Sequence, residues 1–521
     1  MNSLEAEEDL GVYSNLIFVV LGVGLLCTVM VMRARHYPNL NQIPASGHNR
    51  YIPSCLDALR YLTDCQQALK KGYKNSYPRI FKISTLHGWK VLVTGSQHIE
   101  ELRKAPEGAI LLSAAAHDPR TEHYLFGHCG GRMTTEAVLE WTRRLTQNLA
   151  YLIPGIRDEV AASLNDSLAS STPQVAKTNS GTSSNAEWHR VKPAEVIEGI
   201  VAKVVNRAFF GSNISHDNLY SQLTTASVQD AYAFSMTRYI INLVPQMLSY
   251  LCFIFSPSHA KDKKQRPDIQ STEHVEPHQQ VDLLSRLLED ESVDLSDKDV
   301  VQLLVESSVK SMQTISSTLL QVLCRLAASC EDAASMRSEI ENIVLREGWS
   351  GPHTLDKFRK IDSFIKETMR INGLSALSTV RKTITPFTFQ DGTYLPPHTL
   401  ICSSAYARHH DASIYPAPST FNGFRFSDMH EEHRKLYEDD SKGVRFGLTT
   451  ASPSFLVWGH GRHTCPGRFF ASAVMKMVLA EIVMLWDVRF EDGATQLDDL
   501  WIGDVCLPNR QVEILVRARP Q

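Results

Sequence analysis

Residues 458–470 read Trp458-Gly459-His460-Gly461-Arg462-His463-Thr464-Cys465-Pro466-Gly467-Arg468-Phe469-Phe470, and a strongly apolar helical run continues to Trp486. Proline is compatible with the first position of a helix, so Pro466 places Cys465 just ahead of a helix N-terminus. There the free N–H groups and the helix dipole favour a negatively charged sulfur. Gly459, Gly461 and Gly467 remove Cβ atoms where a loop comes close to a flat group, and they permit backbone angles that other residues resist. Trp458 can pack beside the sulfur and keep water away. The same local pattern is also compatible with a plain structural cysteine, because free Cys is among the most buried residue types.

Length and position decide between these readings. The segment resembles the haem-binding loop of the cytochrome P450 family: an aromatic, two residues, Gly, any residue, a base, any residue, Cys, any residue, Gly. Trp458, Gly461, His463, Cys465 and Gly467 fall on those positions. Trp458 stands where Phe is usual, and His463 where Arg is usual, with Arg462 beside it; fungal members with a GHGxHxCPGRFFA-like loop vary in a similar way. The resemblance implies that Cys465 is the axial ligand of the iron of haem b, iron protoporphyrin IX. A thiolate in that place gives electron density to the iron and favours O–O cleavage. It also implies that His463 or Arg462 meets a haem propionate.

Further elements stand in the family's order. In Lys366-Glu367-Thr368-Met369-Arg370, helical spacing puts Glu367 and Arg370 on one face. Alone this is weak, because Glu140/Arg143 and Glu431/Arg434 repeat the spacing and most such pairs are exposed. Phe421-Asn422-Gly423-Phe424-Arg425-Phe426 resembles the segment whose Arg completes a Glu-Arg-Arg cluster, so Glu367, Arg370 and Arg425 are expected to brace the cysteine loop. Asp391-Gly392-Thr393-Tyr394-Leu395-Pro396 matches the family's β-region. Arg381, and Trp141 with Arg143 and Arg144, resemble propionate-binding positions; Arg suits a carboxylate through its planar fork. A solvated helix face is the other reading of residues 141–144.

Ser296 to about Ala328 reads as one long helix, capped by Ser296 with Asp299 three residues on. The family carries on this helix an acid followed by Thr over the iron. Here those positions hold Gln313 and Thr314, with Lys310 nearby. Thr314 keeps the hydroxyl, but Gln313 can hydrogen-bond and cannot titrate near neutral pH. Alternatively, Thr314 simply bonds back to a helix carbonyl.

The remaining features set the architecture. The 521 residues, 43% hydrophobic and 21% charged, fit a large globular unit and not a disordered chain. A net charge of −4 gives no basic excess for nucleic acid, and no nucleic-acid partner is expected. Ten scattered cysteines read as reduced thiols facing the cytosol, so the sequons at Asn165 and Asn213 are expected to stay bare. Leu16 to Met32 holds seventeen uncharged residues, which with Val12 and Tyr13 reach the length of a membrane span. Arg33 and Arg35 follow it, which orients the body to the cytosol, whereas a cleaved signal peptide carries its bases ahead of the apolar run.

The expected organisation is a luminal segment 1–11, a transmembrane anchor 12–32, a hinge 33–48 with Pro38 and Pro44, and a catalytic domain 49–521. The endoplasmic reticulum membrane is the expected location. Residues 79–95 alternate around His87-Gly88 as a hairpin. Residues 167–186 and about 256–280 are polar and read as loops, and Tyr239–Phe255 reads either as a membrane-surface segment or as a buried helix.

The fold class is therefore mainly α with small β-sheets, a cytochrome P450 fold behind one N-terminal transmembrane helix. The resemblance implies a monooxygenase taking electrons from NADPH-cytochrome P450 reductase, with cytochrome b5 as a second donor, and acting on a hydrophobic small molecule. Fungal members of this appearance act on terpenoid, indole-terpenoid or polyketide intermediates. Gln313 motivates an alternative, a haem-thiolate enzyme that desaturates, couples or rearranges without oxygen insertion. A haem-binding membrane protein without turnover is the reading from another class.

Overall fold

The structure is a computed structural model describing residues 39–49, 51–77, 79–85, 88–111, 135–171, 188–217, 297–349, 353–437, 446–491 and 498–519. Segments 1–11 and 12–32, the start of the hinge, Tyr239–Phe255 and residues 256–280 lie outside them. Among the described residues no helix is long and apolar enough to cross a membrane.

The chain opens with α1 (Tyr51–Thr63) and α2 (Cys65–Ser76), the strands β1 (Ile80–Thr85) and β2 (Gly88–Val93), α3 (Ser96–Lys104) and β3 (Ile110–Leu111). Next come α4 (Thr135–Ser171), β4 (His189–Val191), α5 (Pro193–Phe210), α6 (Asp297–Ala328), α7 (Cys330–Glu347) and α8 (Arg359–Ile371). The strands β5 (Leu377–Thr383), β6 (Phe387–Thr388), β7 (Tyr394–Leu395) and β8 (Leu400–Ser404) precede α9 (Ala405–His409) and α10 (Arg425–Tyr437). The last elements are α11 (Arg468–Leu485), β9 (Trp486–Arg489), β10 (Leu500–Ile502), β11 (Val505–Leu507) and β12 (Ile514–Ala518).

Helices dominate and the sheets are small. α11 is apolar over most of its surface, with Lys476 and Glu481 buried among its apolar side chains, and a helix of that kind belongs in a core. Phe470, Val474, Met477, Leu479 and Val483 are buried, and α11 packs against α4, α6, α7 and α8. α6 lies chiefly on α5. The largest sheet has the order β1-β2-β8-β5-β3; β2 and β8 run parallel, and the β1/β2 hairpin pairs Ile80 with Val93 through Thr85 with Gly88.

Two segments differ from the sequence-based expectation. α4 continues through Ser171 into the stretch read as a loop from residue 167. Extending an existing helix needs no new nucleus, so polar residues without apolar periodicity can still join its end. Residues 39–48 of the hinge are docked on β1 and do not hang free. Leu40 and Ile43 are buried, Lys82 N–H donates to Pro44 O (2.8 Å), and Ser46 N–H to Lys82 O (2.9 Å). Their burial outweighs the stretch's polar average.

Candidate active site

The cysteine loop is closed by its own backbone. Cys465 N–H donates to Trp458 O at 2.6 Å, across a 3-10 turn at Gly461–His463. Gly459 and Gly461 have φ of +79° and +83°, the left-handed region that disfavours other residues. A Cβ on Gly461 would also fall 2.3 Å from Arg103 Cγ, so this glycine answers to α3. Gly467 has an ordinary φ of −76° and open space where a Cβ would stand.

The helix start differs by two residues from the expectation. α11 begins at Arg468 with Gly467 as its N-cap, leaving Pro466 in the turn before it. The Gly467 carbonyl accepts the first helical bond, from Ala471 N–H (2.9 Å). Burial pushes the Cys465 thiol up, while the backbone N–H groups of Gly467 and Arg468 and the Arg468 guanidinium oppose it. The helix terminus thus favours the anionic sulfur, and the apolar surround resists it.

Cys465 lines a cavity of about 330 Å³ with Trp458, Gly459, His460, His463 and residues 377–381 of β5. Arg381 is 3% exposed. It donates through one terminal nitrogen to Leu102 O (2.8 Å), but its Nε is buried with no partner. Beside it, burial and then the Arg381 charge lower the basicity of His463. Arg462 is turned out, with a 62% exposed side chain 3.5 Å from Glu107. Of the two propionate candidates, His463 alone borders the cavity. An orphaned buried guanidinium nitrogen, a histidine beside it, a thiol and the open space at Gly467 fit a flat, acid-bearing group ligated by sulfur.

Behind this loop lies a dense brace. Arg370 makes a bidentate pair with Glu367 (2.7 and 2.8 Å), and Arg425 Nε donates to Glu367 at 3.0 Å. Glu367 is 0% and Arg370 1% exposed. Their remaining donors reach the carbonyls of His409, Pro416, Pro418 and Thr420. His409 then accepts Leu456 N–H at its Nε2 (3.0 Å) and stacks on Phe455. The three residues placed behind the loop are therefore brought together and connected to it. His409 gave no sequence signal, because its role runs through main-chain groups that any residue possesses.

The middle of α6 is built differently. Thr314 is exposed and its Oγ1 donates to Lys310 O (3.0 Å). Ser317 and Thr318 likewise donate back to the carbonyls of Gln313 and Thr314 (2.7 and 2.9 Å). Gln313 is half-buried, Lys310 is exposed, and among the described residues none of α6 lines the cavity at Cys465. Arg144 is half-exposed on α4 and also lies outside the lining. The side chain of Trp141 falls outside the described residues.

Comparisons with known proteins agree with this geometry. The family model described as Cytochrome P450 matches residues 64–516. Cytochrome P450 monooxygenase 71 of Postia placenta is 30% identical over 96% of this chain and 98% of its own. Ent-kaurene oxidase P450-4 of Gibberella fujikuroi is 24% identical over 97% of each chain. A crystal structure of the cytochrome P450 CYP102L1 superposes with a TM-score of 0.62 at 16% identity, over 92% of this chain and 99% of that one.

Proposed function

The chain belongs to the cytochrome P450 family of monooxygenases, and from that premise we propose that it is a membrane-anchored enzyme inserting one oxygen atom into an apolar fungal metabolite. The observation that carries this reading is the placing of Cys465 under the amides of Gly467 and Arg468, in one cavity with Arg381 and His463. Haem b, when bound, would supply oxygen activation, and Cys465 is the residue whose sulfur would hold its iron. Arg381 and His463 would hold the acidic edge of that group. Trp458 shields the sulfur, and the Glu367 cluster keeps the loop from yielding.

On the opposite side, Thr314 Oγ1 donates to Lys310 O, which leaves its lone pairs to accept from water. Gln313 orients water without giving up a proton, so protons pass through water and the hydroxyls of α6. The ent-kaurene oxidase relatives favour a terpenoid over an indole-terpenoid or polyketide substrate. Residues 12–32 cross the endoplasmic reticulum membrane in this reading, with 1–11 in the lumen. NADPH-cytochrome P450 reductase, with cytochrome b5 as a second donor, supplies electrons on the cytosolic side.

The test is the spectrum of the reduced, carbon-monoxide-bound protein. Wild type gives a strongly red-shifted Soret band; Cys465→Ala and Cys465→His abolish it, and a shift retained in either variant defeats the assignment. Gln313 supports a second reading, oxidation without oxygen insertion. Label from oxygen gas appearing in the product decides against that reading.

A further inference from the structure

Lys366 sits in a costly place for a lysine. It is 1% exposed, one residue before Glu367 on α8, with its amine over the rings of Phe426 (4.7 Å) and Phe455 (4.6 Å). A buried ammonium is tolerated only where hydrogen bonds and ring faces replace water. A methionine would fill much the same volume without that cost. What the amine gains is a pair of carbonyls: Nζ donates to Gly447 O at 2.7 Å and to Phe446 O at 3.1 Å.

Through the backbone those carbonyls adjoin Leu448, from which hydrogen bonds lead to the cysteine. One turn earlier on α8, Asp362 accepts Leu448 N–H at 2.6 Å, and its other oxygen lies 3.1 Å from Lys476 Nζ of α11. Leu448 O then accepts the indole N–H of Trp458 at 2.6 Å, and Trp458 O accepts Cys465 N–H at 2.6 Å. A parallel strand of the same line runs from Thr449 O through the Arg468 guanidinium to Cys465 O (3.2 and 3.1 Å). None of these links involves Glu367, Arg370 or Arg425, whose own acceptors lie at residues 409 and 416–420. The indole link exists only because this chain carries Trp where the loop pattern has Phe.

We propose that Lys366 is a positioning residue for the Cys465 sulfur, acting by clamping residues 446–448, which in turn fix the indole of Trp458. The inference rests on the haem-thiolate reading above. Without the amine, two partly buried carbonyls lose their donor, the 446–448 segment relaxes, and the indole loosens over the sulfur. Water then reaches the sulfur, which stabilises the more negatively charged reduced iron–sulfur pair over the oxidised one.

The experiment compares wild type, Lys366→Met, Trp458→Phe and the double variant as holoproteins. It reads the midpoint reduction potential and the rate at which the red-shifted carbon-monoxide band decays to the unshifted one. Lys366→Met is expected to move the potential upward and to speed the decay, and the Trp458→Phe background is expected to remove most of both effects, because the line is already cut. Lys366→Arg, which restores donors, should recover part of the wild-type behaviour.

A purely structural lysine predicts another pattern: a lower melting temperature with potential and decay rate unchanged, or effects fully additive with Trp458→Phe. Either result overturns the inference, as does a downward shift. If Lys366→Met does not accumulate as folded protein, Lys366→Gln, which keeps a donor for one carbonyl, replaces it with the same opposing outcomes. A wild-type protein without the red-shifted band instead sinks the functional reading itself.

Discussion

The two regions expected to flank the iron are held by opposite means. Around Cys465, side chains from α8, α9, α10 and α11 hold a loop through buried and partly buried bonds between residues far apart in the chain. In the middle of α6, the hydroxyls of Thr314, Ser317 and Thr318 donate to carbonyls of their own helix, four residues away. A buried, long-range network fails as a unit when one member is lost, because its partners are left unsatisfied. A helix-local hydroxyl returns its carbonyl to an ordinary helical bond. The difference teaches that the ligand side is specified by the whole fold, and the opposite side by one helix whose chemistry can change at little cost in stability.

The largest effect that sharpens this contrast is expected at Glu367. Glu367→Ala leaves the guanidinium of Arg370 buried without its counterion and strips Arg425 of the same partner. Breaking a buried pair in this way costs about 3–5 kcal/mol. Chemical denaturation should show that loss, and the purified variant should carry little haem per chain. A variant with wild-type stability and haem content breaks the claim that the brace holds the loop.

A smaller effect is expected from acid, through His409. Burial and then the Arg370 charge push its imidazole down to about 3, from the ordinary 6.5. The folded protein therefore keeps His409 neutral, as acceptance of Leu456 N–H requires, while the unfolded chain takes up a proton below 6.5. Fewer protons are bound in the folded state between these values, so stability rises with pH across that window. The contribution is complete above pH 6.5 and is lost progressively as pH falls toward about 3. Melting temperatures of His409→Gln and wild type across this range test it. The variant's curve should be flatter, and parallel curves would remove His409 from the brace.

Legibility followed the same division. Cys465, Glu367, Arg370 and Arg425 could be picked out because their chemistry needs particular side chains at particular spacings. The hairpin over residues 79–95 and the long helix ending at Ala328 were legible from alternation and periodicity. Lys366, Asp362 and His409 were not, because each acts on backbone carbonyls or amides, and those partners leave no trace in the residue alphabet. The docking of residues 39–48 escaped for a related reason: two apolar side chains, Leu40 and Ile43, decide it within a polar stretch. Arg462 and His463 stood side by side in the sequence, and only the 3-10 turn sends one outward and the other to the cavity.

The smallest stability effect is expected on α6, and it is the sharpest test of the contrast. Thr314→Val removes an exposed hydroxyl whose bond to Lys310 O is local, so the unfolding free energy should change by no more than about 0.5 kcal/mol. Valine keeps the branched shape, and the lost bond is one the helix did not need. Function should respond far more than stability if, as proposed, the same hydroxyl relays protons by way of water beside a Gln313 that has none to give. The measure is oxygenated product formed per NADPH consumed, which should fall while haem content stays at the wild-type level. Gln313→Glu supplies a titratable group and should make that ratio depend on pH where wild type does not. Should Thr314→Val instead cost haem and stability on the scale of Glu367→Ala, the two sides would be one coupled structure, and the separation drawn between them would not stand.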